Sequence, residues 1–136
     1  MSAINIKTTL NAPVEKVWKI WSSPEHIIKW SSASEDWHTP KADNDLRPGG
    51  RFSSRMEARD GSMGFDFNGT YDVVKPHEKI GYTLDDGRKV DIYFRGHGDT
   101  TDIDQTFEPE STHPEEMQRA GWQAILDNFK KYTESI

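Results

Sequence analysis

Five successive stretches in the middle of this chain carry apolar side chains at alternate positions, and one long amphipathic helix pattern follows them. Phe52 and Met56 share one side of the first stretch. Phe65, Phe67, Gly69, Tyr71 and Val73 share a side of the second. The same holds for Ile80, Tyr82 and Leu84, for Val90, Ile92 and Phe94, and for Ile103, Gln105 and Phe107. The intervening positions are largely Asp, Asn, Thr, Arg and Glu. A period of two with one apolar side describes an antiparallel sheet covered on one face only. The cover comes later in the chain. After Pro114, the residues Met117, Gly121, Ile125, Phe129 and Tyr132 form a stripe at helical spacing, widened by Trp122 and Leu126. The expected architecture is α+β: a curved antiparallel sheet wrapped around a long C-terminal helix, an arrangement that tends to enclose a pocket.

The remaining elements follow from local signals. Ile4 and Ile6 alternate with polar neighbours, which predicts a first strand at about 3–10. Pro13 suits a first helical turn, and Val14, Val17, Trp18 and Trp21 form one apolar face behind it. Ser23-Pro24-Glu25 restarts a second short helix, with Ser23 as its cap. Residues 31–40 read as an irregular polar loop holding Trp37 and His38. Strands are expected at about 41–46, 50–58, 64–74, 79–84, 88–95 and 101–108, and the last helix at about 114–133. Asp45-Leu46-Arg47-Pro48-Gly49-Gly50-Arg51-Phe52 forms a glycine corner between two of the strands.

Composition narrows the function classes. A chain of 136 residues is the size of one domain with a real core. The net charge of −6 is made of interspersed signs with no basic stripe, which argues against a nucleic-acid partner. Without cysteine there are no disulfides, thiolate metal sites or cysteine nucleophiles. The five histidines are scattered outside any metal-ligand spacing, so neither a metal nor another cofactor is expected. No apolar run approaches membrane-spanning length, and the first residues lack the layout of a secretion signal; a cytoplasmic protein, monomer or homodimer, is expected.

Ala12-Pro13-Val14-Glu15-Lys16-Val17-Trp18, Ser23-Pro24-Glu25-His26, Trp30, the glycine corner, Gly69-Thr70-Tyr71 and Gly121-Trp122 occur in an order that resembles the START-like (SRPBCC, Bet v 1-like) superfamily and its helix-grip fold. Within it, the chain is similar to bacterial homologues of the C-terminal domain of the activator of heat-shock protein 90 ATPase. The resemblance covers nearly the full length as one domain, 1–136. It implies a fold more than a function, because the superfamily includes lipid carriers, cyclases, resistance proteins and co-chaperone domains. No residues here resemble the separate chaperone-engaging domain of the eukaryotic activator.

Three functional readings follow. The first is a binding protein with a small hydrophobic or amphipathic molecule held between the C-terminal helix and the sheet. Trp37 and His38 would flank the entrance, while Ser54, Met56, Phe67, Phe94 and Ile125 would line the interior. Tyr71, Tyr82 and Gln105 would orient the ligand's polar part, since a buried polar group left unpaired costs about 1–3 kcal/mol. Gly121, facing the sheet from inside a helix, either admits close packing or leaves room for a ligand. The second reading is a cyclase- or hydrolase-like enzyme using Tyr82 or His38 as acid–base group. The third is a chaperone-associated interaction module. Arg55 and Arg88 are expected on the outer face in cross-strand ion pairs.

Overall fold

The computed structural model describes residues 3–136. Strand β1 (Ile4–Leu10) is followed by helices α1 (Val14–Ser22) and α2 (Pro24–Trp30). Six strands come next: β2 (Trp37–Asn44), β3 (Arg51–Ala58), β4 (Gly64–Lys75), β5 (Lys79–Leu84), β6 (Lys89–His97) and β7 (Thr100–Phe107). Helix α3 (Glu115–Ser135) closes the chain. All strands join one antiparallel sheet in the order β1-β7-β6-β5-β4-β3-β2. The sheet curls into a half-barrel around α3, which is the helix-grip fold.

The alternation works as expected along most strands. Ile80, Tyr82, Leu84, Val90, Ile92, Phe94, Ile103 and Phe107 are all buried on the inner face. Gln105 joins them, facing Ile6 on one side and Ile92 on the other in the strand register. The core continues into α1 and α2. Trp21 and Trp30 each lie 4.8 Å from Phe129 of α3, and Trp18 and Trp21 meet Phe94 edge-on. The Trp30 ring nitrogen donates to the Ile20 carbonyl, so this buried indole leaves no orphan donor.

Four departures from the sequence reading have physical causes. Strand β2 begins at Trp37 rather than 41, so Trp37 and His38 belong to the sheet. They pair with Ala58 and Glu57, the register then shifts across Thr39 and Pro40, and pairing resumes at Lys41. Proline is tolerated there because β2 is an edge strand with an irregularity at that point. In β4 the register shifts between Tyr71 and Val73, and it is Val74 that packs against the core. Phe65 is about half exposed, beside the turn of the β3–β4 hairpin, rather than core. Finally, the buried face of α3 runs through Gln118, Leu126, Phe129 and Thr133, leaving Met117 exposed.

Helix boundaries follow their local chemistry with one change. Pro24 opens α2 at its first turn, but the Ser23 hydroxyl turns back to the Lys19 carbonyl and closes α1 instead of capping α2. The glycine corner links β2 to β3 and is tied to β4: Gly49 donates to the Tyr71 carbonyl, and Tyr71 donates to the Gly50 carbonyl. Gly49 has a φ of +82°. A Cβ on Gly50 would lie 2.1 Å from the Asp45 carbonyl oxygen, a backbone atom that cannot swing away. Gly50→Ala is therefore expected to destabilise the protein by about 3 kcal/mol. Chemical denaturation of the two proteins measures it, and an unchanged midpoint would contradict the geometry of this corner.

Candidate functional site

Helix α3 lies along β1 and against the two short helices, and it spans the central strands only through long side chains. Trp122 stacks flat on Phe107, with ring centroids 4.1 Å apart, and meets Phe67 at 5.9 Å. Beneath this bridge is a cavity of about 400 Å³. From the sheet it is lined by Met56, Phe67, Tyr82 and Gln105, and from α3 by Trp122, Ile125 and Leu126. Trp21 and Trp30 form its wall toward the short helices. At the other end stand Arg88, Glu110, His113 and Gln118. A smaller hollow of about 160 Å³ adjoins it, sharing Met56, Phe65 and Ile125 and bounded by Trp37 and His38.

The polar groups in this lining fall into two kinds. Gln118 and Glu110 are fully committed to the protein. The Gln118 carboxamide accepts from the Glu110 amide and donates to the carbonyls of Glu110 and His113. The Glu110 carboxylate accepts from the backbone amides of Thr112 and His113 and pairs with the His113 ring at 2.9 Å. Together these bonds latch the segment between β7 and α3. Burial alone would raise the Glu110 pKa, but the hydrogen bonds from His113 and Thr112 outweigh it and hold the group at about 2.

Gln105 and Tyr82 are the other kind. Both are more than nine-tenths buried, and neither side chain has a hydrogen-bond partner among the described residues. Their polar atoms reach the hollow instead of being sealed in the core. Burial raises the Tyr82 pKa, with Tyr71 adding to the effect and Arg88 opposing it, so its hydroxyl stays a proton donor. A neutral phenol with no base beside it offers hydrogen bonding rather than proton abstraction.

The structure sorts the residues singled out from sequence. Met56, Phe67, Tyr82, Gln105 and Ile125 line the main cavity, and Trp37 and His38 the adjoining hollow. Trp37 lies 6.0 Å from Phe65, and His38 stands 3.8 Å from Glu57. Tyr71 is withdrawn from this set: its hydroxyl donates to Asn44, whose amide is bound in turn to the Ser22 carbonyl. Phe94 packs among tryptophans, and Ser54 is buried outside both linings. Gly121 is also outside them, and a Cβ there would meet nothing within 4 Å, so neither close packing nor the cavity wall requires glycine.

The important omission was Arg88. The sequence reading expects it on the outer face, yet it lines the cavity and shares the parity of Val90, Ile92 and Phe94, which point inward. The alternation already carried that signal. Trp21, Trp30 and Gln118 were also missed as lining residues, because α1, α2 and the start of α3 meet the sheet only in three dimensions. Arg55 is outside as expected, paired with Glu57 and Asp66.

The model of the activator of Hsp90 ATPase homolog 1-like protein family matches residues 11–134. The chain belongs to this family. A solved AHSA1-like protein from Aeromonas hydrophila is 43% identical, with a TM-score of 0.92 over 98% of this chain and 93% of that one. A protein from Cytophaga hutchinsonii is 55% identical, with a TM-score of 0.84 over 98% and 92%. One from Chromobacterium violaceum is 25% identical, with a TM-score of 0.87 over 98% and 99%. No curated protein matches the chain. Among the described residues of this family member, no helix is long and apolar enough to cross a membrane, and no cluster of acidic and histidine side chains is arranged to hold a metal.

Two measurements test this description. Gly121→Ala is expected to stabilise the protein by about 1 kcal/mol, the helix-propensity difference with no clash to oppose it; a lower melting temperature would show that the site is tighter than described. For Glu110 the folded pKa lies below the ordinary carboxylate value of 4.5, so its contribution is complete above 4.5 and is lost as pH falls toward about 2. The Thr112 and His113 amide resonances of the folded protein should shift with a midpoint near about 2, and Glu110→Gln should remove the shift.

Proposed function

We propose that this protein binds a small hydrophobic or amphipathic molecule in the cavity between α3 and the sheet. The observation that carries the reading is a hollow of about 400 Å³ with a mostly apolar wall and two buried polar side chains left without protein partners. That volume is within the usual range of ligand pockets, and a few unpaired polar groups in an apolar wall are what fixes a ligand's orientation. The Gln105 carboxamide faces the hollow with its donor and acceptor both uncommitted to protein, so it is free to bond a polar group of the occupant.

The aromatic lining supports a flat or ring-containing occupant. Trp21, Trp30, Trp122 and Phe67 present faces and edges on which such a body can stack. The apolar end lies by the short helices and the polar end by Arg88 and the latch, so the occupant's orientation is set by its own polarity.

The neutral dye N-phenylnaphthylamine provides a test independent of ligand charge. Its fluorescence should rise on binding, and tryptophan emission should fall, since three indoles line the cavity. Ile125→Trp grows a ring into the hollow from α3. It is expected to weaken dye binding at least tenfold while the protein stays folded by circular dichroism. A wild-type protein that leaves the dye's emission unchanged would reject the reading.

A further inference from the structure

We propose that the cavity selects an amphipathic acid: a flat apolar body with a carboxylate at Arg88 and a second hydrogen-bonding group that meets Gln105. This rests on the cavity being a ligand site and specifies what enters it.

Arg88 differs from Arg51 and Arg55 of β3. Arg51 has its terminal nitrogens on Thr70 and Asp85, and Arg55 is bound by Glu57 and Asp66. Arg88 is held only through Nε, which donates to Asp86 at 2.8 Å. Asp86 also accepts from the Arg88 backbone amide, so the turn before β6 fixes where the side chain points. The two terminal nitrogens have no protein partner among the described residues, and the side chain is only 24% exposed. A free guanidinium edge at the end of an apolar hollow fits the two oxygens of a carboxylate. The one carboxylate among the lining residues, Glu110, is taken up by His113 and two backbone amides.

The second group follows from the register. Gln105 pairs opposite Ile92, four residues along β6 from Arg88. That is roughly 13 Å of strand rise. Side chains that stand upright on the sheet from roots this far apart meet separate groups of one ligand. Tyr82 lies between them, opposite Val90, and its hydroxyl is a further donor on the same wall. The Gln105 carboxamide offers both a donor and an acceptor, so a hydroxyl or a carbonyl on the ligand's inner end serves equally. Bare alkyl chains leave Gln105 unpaired and are disfavoured for that reason.

The test compares naphthoate, the hydroxynaphthoate with its hydroxyl at the far end of the fused rings, and the methyl ester of the latter. Binding is read by tryptophan quenching and by calorimetry. Hydroxynaphthoate is expected to bind at least tenfold tighter than its ester and severalfold tighter than naphthoate. Arg88→Gln should abolish the preference for acid over ester in a protein that stays folded by circular dichroism. Gln105→Leu should abolish the advantage of the hydroxyl, leave the acid preference, and raise the melting temperature, which also shows that the variant folds. Equal affinities for acid and ester, or an Arg88→Gln protein that still prefers the acid, would overturn the proposal. If the dye binds and no naphthoate does, this inference fails while the cavity reading stands; if neither binds, both fail.

Discussion

The structure depends on how α3 is held off the middle of its own sheet. Phe129 wedges against Trp21 and Trp30 at one end, and Trp122 lies flat on Phe107 further along. These large rings fix the helix against β1, β7 and the short helices, and they set a separation too wide for smaller side chains to close over β3 to β6. A helix with alanine or leucine at Trp122 would sink toward the strands. Aromatic packing therefore both stabilises the fold and keeps the hollow open.

The hollow inherits its polarity from the topology. The ends of β5 and β7, the start of β6 and the segment leading into α3 meet at one side, bringing Arg88 and the Glu110 latch together. The short helices meet the other side and contribute only indole and a few small groups. Other charges of the sheet pair on the outer surface, such as Arg51 with Asp85 and Arg55 with Glu57. Such exposed pairs contribute little stability and keep the outer face soluble. Arg88 stands apart because it lines the cavity while only its Nε is bound by the protein, to Asp86.

Much of the fold was legible because both kinds of periodicity are strong. Alternation located the strands from Phe52 to Phe107, and proline placement located the starts of the short helices. Where the reading slipped, a local irregularity had broken the pattern. Pro40 hid the first half of β2, and the register shift after Tyr71 exchanged Val73 for Val74. The stripe on α3 slipped at its start, where Met117 is exposed and Gln118 is buried through its bonds to Glu110 and His113, which hydropathy does not record.

By itself the amino-acid sequence determined the element order, the inner face of most strands and the presence of one amphipathic helix to cover them, since these depend on neighbours a few residues apart. Gln105 was recognisable as a misfit for the same reason: it breaks an apolar series. Only the tertiary structure decided that Tyr71 is consumed by Asn44 while Tyr82 stays unpaired, and that Trp21 and Trp30 from one end of the chain face Trp122 from the other. Hydrogen-bond partners and cavity walls are set by distances between residues far apart in the chain, and no local pattern encodes those distances.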